Sequence, residues 1–249
     1  MRLAFDPARV GVYAPHRNDM QNAMTLVDTT VGKKAIVGVT GAILFGFVIG
    51  HLSGNLLVFL GETAMDDYGH MLHAIPELLW GVRIVLLLSL VTHIVLTIDV
   101  ARKARAARKV QYRKYQEAAK MPFLQTLGRT TMLLTGPLLA CYIVFHLAHL
   151  TGGAPVVPGY AFQDGHPYAN VVHSFRIWWI TAIYMAANAM LCLHLFHGGQ
   201  ALFQSIGFNH PKYEPIIKRG AAAFALFVGV GNVTIPLLVL ARVIGHEVP

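Results

Sequence analysis

Apolar residues along this chain gather into five long runs, roughly 33–60, 78–100, 129–150, 176–199 and 219–243, with polar segments between them. A helix rises about 1.5 Å per residue, so about 20 residues cross a hydrocarbon core of about 30 Å. Each run is long enough to do so. Helices are expected rather than strands, because lipid offers no water to satisfy open backbone groups. The strict alternation of a barrel strand is also absent. The pattern therefore predicts an all-α membrane protein with five transmembrane helices over residues 33–249. Residues 1–32 are mixed polar, with Pro7 and Pro15, and read as a cytoplasmic N-terminal arm. Asp28, Thr29 and Thr30 are suitable N-cap residues for the first span.

The polar segments set an orientation. Arg102, Lys103, Arg105, Arg108, Lys109, Arg113, Lys114 and Lys120 follow the second span, and Lys212, Lys218 and Arg219 follow the fourth. Lys33 and Lys34 precede the bulk of the first. Residues 61–77 carry Glu62, Asp66, Asp67 and Glu77 without Lys or Arg, and 151–175 also lack both. The positive-inside rule then puts the N-terminus in the cytoplasm and the C-terminus outside. The net charge of +8 is a topological marker that can meet anionic lipid or a partner. It argues against nucleic acid as the ligand. Composition agrees with a lipid solvent: 55% of residues are hydrophobic and 13% charged, about half the charge of a soluble protein. Cys141 and Cys192 both lie in apolar runs and form neither a disulfide framework nor a Cys-x-x-Cys-His attachment site. The first thirty residues lack the apolar core of a signal peptide and are expected to be retained.

Four histidines sit deep in four of the runs: His51, His93, His146 and His194. Each lies in about the last third of its span, and consecutive spans run in opposite directions. His51 and His146 therefore fall in the outer leaflet, and His93 and His194 in the inner. Two pairs at two depths result, each from non-consecutive helices, as a four-helix bundle allows across its core. A further repeat reinforces this: Thr40-Gly41 leads to His51, and 95 residues later Thr135-Gly136 leads to His146. Two neutral imidazoles facing each other suit bis-histidine ligation of a haem iron, so two b haems are expected. Gly46, Gly50 and Gly54 form a stripe that serves helix packing, haem accommodation or both. His149 and His197, each three residues beyond a candidate ligand, are rivals that spacing alone does not eliminate. Zinc fits less well, because its structural sites gather four ligands at one place.

Other titratable groups are few. Asp99 can pair with Arg102 or Lys103. Arg83 and Arg176 near outer ends, and Lys33, Lys34 and Arg129 near inner ends, either snorkel to the interface or pair with haem propionates. Glu62, Asp66, Asp67, His70 and His73 are weaker candidates for assisting the protons of a lipid-soluble carrier. No nucleotide loop, catalytic triad or paired-carboxylate site is visible, which favours electron transfer over bond-making on a soluble substrate.

These motifs resemble the five-helix, di-haem cytochrome b membrane-anchor subunit of succinate dehydrogenases and related fumarate reductases. The resemblance covers most of residues 33–243 and rests on four pieces. They are Thr40-Gly41 to Gly50-His51, the His93 helix with its basic loop, Thr135-Gly136 to His146, and His194-Leu-Phe-His-Gly-Gly-Gln-Ala-Leu-Phe-Gln-Ser-Ile-Gly207. It implies His194 over His197 and His146 over His149 as ligands, with His51 and His146 on a distal haem and His93 and His194 on a proximal one. It also implies a flavoprotein (FAD) subunit and an iron–sulfur subunit docked on the basic face, with room for a higher oligomer of the complex. A quinone, more often menaquinone than ubiquinone, and the bacterial cytoplasmic membrane complete the expectation. Some fumarate reductase members carry a Glu two residues before the fourth-span ligand for proton compensation; Cys192 stands there in this chain, which favours succinate oxidation. The alternatives are a di-haem subunit of a fumarate reductase, hydrogenase or other dehydrogenase, a haem-free transporter with a histidine proton relay, and a bare anchor.

Overall fold

The computed structural model describes residues 29–107, 123–154, 157–208 and 210–246, with side chains from 132 onward in the second segment except that of residue 133. The N-terminal arm up to residue 28 and the basic residues from Arg108 to Lys120 lie outside the described residues. Among the described residues there are seven α-helices and no strand. They are α1 (Thr30–Asn55), α2 (Glu62–His73), α3 (Pro76–Ala106), α4 (Phe123–Leu150), α5 (Pro167–Phe175), α6 (Trp178–Ser205) and α7 (Glu214–Leu240). A 3₁₀ turn, Leu56–Leu60, continues α1.

Four segments are long and apolar enough to cross a membrane: Thr30–Leu60, Pro76–Ala106, Trp178–Ser205 and Glu214–Leu240. In α4 the apolar part is the shorter Leu134–Leu150. The chain is thus a multi-helix protein of membrane-spanning character, with four such segments where five were expected. Its outside is greasy and its inside partly polar. In α3, Ile84, Val85, Leu87 and Leu88 are exposed while Ser89 is buried, and Thr40, Thr135, Thr181 and Asn188 are buried on other long helices. A chain solvated by lipid needs no apolar core to hide from water, so its polar side chains turn inward to find partners.

Helix α1 packs on α3, α4 packs on α6, and α1 meets α6 across the middle. Helix α7 lies along α6 in the most extensive contact of the molecule. That contact is made by small residues: an added Cβ on Gly229 would stand 2.8 Å from Cys192 Cβ, and one on Gly199 would stand 3.1 Å from Ala221 Cβ. Cys192 thus faces α7. By contrast, α1 with α4, and α3 with α6, are not among the closely packed pairs.

Start signals hold where they were legible. Thr29 caps α1, its hydroxyl accepting from Gly32 N–H at 2.9 Å. Two short helices, α2 and α5, occupy segments expected to be loops. The first comes just after the 3₁₀ turn that continues the His51 helix, and the second follows the His146 helix after residues 151–166. They are joined by buried Asp66 of α2, whose Oδ1 accepts the Tyr168 N–H at 2.9 Å in the first turn of α5. A carboxylate at a helix N-terminus is favoured by the aligned peptide dipoles. Helix α5 ends at Phe175 and α6 starts after Ile177, so the expected run from 176 is broken at its first residues. At the opposite end, Asp99 of α3 binds Lys33 of α1 and lies 3.4 Å from Lys103.

Candidate functional site

The four histidines occupy two levels. His93 of α3 lies against α1 beside Val37, Thr40 and Gly41: its Nδ1 is 3.2 Å from the Val37 carbonyl and 3.4 Å from the Thr40 hydroxyl. His51 is eleven residues beyond Thr40 on the same helix, about 16 Å along its axis. The second half of the molecule repeats the device. Thr135 of α4 sets its hydroxyl 3.4 Å from Nδ1 of His194 on α6, and His146 follows eleven residues later. Each threonine of a Thr-Gly pair therefore backs the histidine of the next long helix, while the histidine of its own helix works at the other level. His93 and His194 are thus both backed by a threonine hydroxyl.

The orientation of the ring protons follows from the acceptors. A carbonyl oxygen can only accept, so His93 Nδ1 carries the hydrogen and its Nε2 keeps a lone pair. Thr40 donates its own hydroxyl hydrogen to the Ile36 carbonyl at 2.9 Å, and Thr135 donates to the Met132 carbonyl at 3.3 Å. Both hydroxyls are left as acceptors for the imidazoles. His194 is thereby set in the same tautomer as His93.

At the other level the rings of His51 and His146 are 5.7 Å apart, centroid to centroid, and nearly perpendicular at 84°. His51 is exposed. The Phe47 ring stacks on it at 5.2 Å. Behind His146 stands a chain of buried polar groups. Tyr184 Oη is 3.3 Å from His146 Nδ1 and 3.0 Å from His149 Nδ1. His149 Nε2 is 3.1 Å from the Ser174 hydroxyl, which donates to the Asn170 carbonyl at 2.6 Å. Asn170 in turn accepts from the Tyr160 hydroxyl at 2.9 Å and from the Gln163 N–H at 2.8 Å. Burial pushes the Tyr160 phenol up, which keeps it a donor. A cleft of about 350 Å³, lined in part by Tyr160, Gln163, His173 and Arg176, opens beside this end of the chain.

This chain separates the rivals His146 and His149. His149 is fully buried with a partner on each ring nitrogen. It has no lone pair left for a metal. His146 uses only Nδ1 and keeps Nε2. At the other level the Thr135 hydroxyl stands beside His194.

The donor set at the His51–His146 level fits a haem. Two neutral imidazoles can bind one iron at about 2 Å each, which with about an ångström from nitrogen to ring centre makes a separation near 6 Å. The His51–His146 spacing is close to that. The helices that carry each pair are the ones not packed together. The glycine stripe divides: an added Cβ on Gly54 would come 2.6 Å from the Tyr68 ring, whereas on Gly46 or Gly50 it would meet nothing within 4 Å. Close packing explains Gly54 and leaves the other two positions open.

The cationic candidates have protein partners. Lys33 binds Asp99, the Arg83 guanidinium lies 5.1 Å from the Trp80 ring centre, and Arg176 donates to the Gly245 carbonyl at 2.7 Å. The side chain of Arg129 lies outside the described residues. Glu62, Asp66 and His166 bring ligand atoms within 4.8 Å of one another. Both oxygens of Asp66 are already engaged, one by the α5 backbone and one by His166 at 3.3 Å, so the trio serves as a tie between α2 and α5. Tyr184, Ser174 and Asn170 were not singled out from the sequence; a tyrosine in the middle of an apolar run is the signal that was there, since a buried phenol needs a partner. Compared with known proteins, the chain matches no family model, no curated sequence and no solved structure.

Proposed function

We propose that this chain is the membrane anchor and electron conduit of a succinate:quinone oxidoreductase, carrying two b haems. In this reading His51 and His146 hold the outer haem, and His93 and His194 the inner one. Helix α4 makes the fifth crossing, with the N-terminus in the cytoplasm and the C-terminus outside. A flavoprotein and an iron–sulfur subunit dock on the basic inner face, and menaquinone or another quinone exchanges electrons with the chain. The haems, when bound, supply one-electron transfer.

The observation that carries the proposal is the pairing itself. Four imidazoles from four helices form two sets, and three of them have Nδ1 hydrogen-bonded so that Nε2 is left with its lone pair. The chain's own work is to fix those tautomers, to keep α1 apart from α4 and α3 apart from α6, and to exclude water. The resemblance of the Thr-Gly…His and His-x-x-His-Gly-Gly motifs supports the choice of enzyme family. A fumarate reductase or another dehydrogenase would use the same conduit. A haem-free transporter with a histidine proton relay is the reading of another class, and a purified protein without haem would favour it.

A reduced-minus-oxidised spectrum with a pyridine haemochrome count on the purified protein tests the proposal. Two b-type haems per chain are expected, and none overturns it.

A further inference from the structure

The polar chain behind His146 has a direction that its contacts dictate. Ser174 spends its only hydrogen on the Asn170 carbonyl at 2.6 Å, so it must accept from His149 Nε2–H at 3.1 Å. A neutral His149 then has Nδ1 as an acceptor, which takes the Tyr184 hydroxyl hydrogen at 3.0 Å. Tyr184 is left with a lone pair, and that lone pair faces the Nδ1–H of His146 at 3.3 Å. Along these four contacts, with a neutral His149, reversing any one bond would set two donors or two acceptors against each other. Water does not compete, because His149 and Ser174 are fully buried and Tyr184 is nearly so.

We propose that Tyr184 is a positioning residue for His146, and that His149 and Ser174 exist to hold the Tyr184 hydroxyl with its lone pair towards it. The inference rests on the two-haem reading above. An imidazole that donates from Nδ1 to a good acceptor is a more basic ligand at Nε2 and favours the oxidised metal. The acceptor here is set from outside the long helices: Ser174 and Asn170 belong to α5, next to the loop that holds Tyr160 and Gln163. The outer site is thereby tuned by α5, whereas the inner site is backed by Thr40, Thr135 and a main-chain carbonyl within the long helices. The rings of Tyr142 and Phe175, edge-on to Tyr184 at 5.3 Å and 4.9 Å, would still pack against a phenylalanine, so the hydroxyl can be removed without removing the ring.

Potentiometric titration of the purified complex, following the visible bands, tests this in wild type, Tyr184→Phe, Ser174→Ala and Ser174→Thr. The outer haem is identified as the one lost in His146→Ala. Tyr184→Phe is expected to keep two haems, to raise the potential of the outer one and to leave the inner one in place. Ser174→Ala is expected to give a smaller rise in the same haem, and Ser174→Thr, which keeps the hydroxyl, to restore the wild-type value. An unshifted outer potential in a two-haem Tyr184→Phe protein overturns the inference, as does a shift of the inner haem. If Tyr184→Phe fails to assemble, the Ser174 pair decides by the same criterion. A wild-type protein without haem overturns the functional reading itself, an outcome distinct from two haems with unmoved potentials.

Discussion

Behind the inner pair of histidines stand two threonines and a backbone carbonyl; behind His146 stand a phenol, a second imidazole, a serine and an asparagine backbone. The inner support is local, since each threonine lies on a long helix packed against the helix whose histidine it serves. It is also duplicated, once in each half of the molecule. The outer support is used once and recruits α5 from between two long helices. The lesson is that a repeated ligand pattern need not carry a repeated environment. Two similar imidazole pairs can be given different ligand basicity by what accepts their Nδ1 hydrogens. On the proposed reading the two sites exchange electrons with different partners, which gives that difference a use.

The comparison can be broken most sharply at His146 and His149. His146→Leu is expected to lower the haem count from two to one, whereas His149→Leu keeps both; equal losses in the two variants would show that the hydrogen-bond argument chose wrongly. Next in size is Gly54→Leu, whose side chain must displace the Tyr68 ring. Overpacking of this kind costs about 1–3 kcal/mol, read as a lower unfolding temperature in detergent, while Gly46→Ala and Gly50→Ala should leave that temperature near wild type. His149→Leu should also destabilise the protein, by about 1–3 kcal/mol for a polar group left buried without a partner, with the outer haem released before the inner on heating. Thr40→Val and Thr135→Val should cost about 0.5–1.5 kcal/mol each and raise the potential of the inner haem alone. The smallest effect is expected from Asp66→Asn. It keeps an acceptor for the Tyr168 N–H but removes the charge from the α5 N-terminus, for about 0.3–1 kcal/mol, and should leave both haem bands unchanged.

Much of the architecture was legible because lipid imposes a simple rule. Long apolar runs and the cap at Thr29 read directly from the chain. The repeat of Thr-Gly and His was also visible, but its use was not. Spacing gives the level of a residue in a helix and not its neighbour, so nothing in the sequence said that Thr40 would back His93 rather than His51. The helices α2 and α5 were read as loops because they are short and amphipathic, and because the polar residues that order them, Asp66 and Asn170, act on other segments. The cations were legible as interfacial but not as engaged; Lys33 meets Asp99, 66 residues away, through the α1–α3 packing. Spacing leaves His146 and His149 open and the resemblance favours His146; what no sequence supplies is that both nitrogens of His149 are already taken.

The central claim is that the four histidines form two separate sites, and paired replacements test it most directly. Haem should be counted in His51→Ala/His146→Ala and in His51→Ala/His93→Ala. The account predicts one haem per chain in the first protein, since only the outer site is lost, and none in the second, since each site loses a ligand. A haem retained in the second protein, or two lost in the first while the chain still assembles, would contradict the pairing.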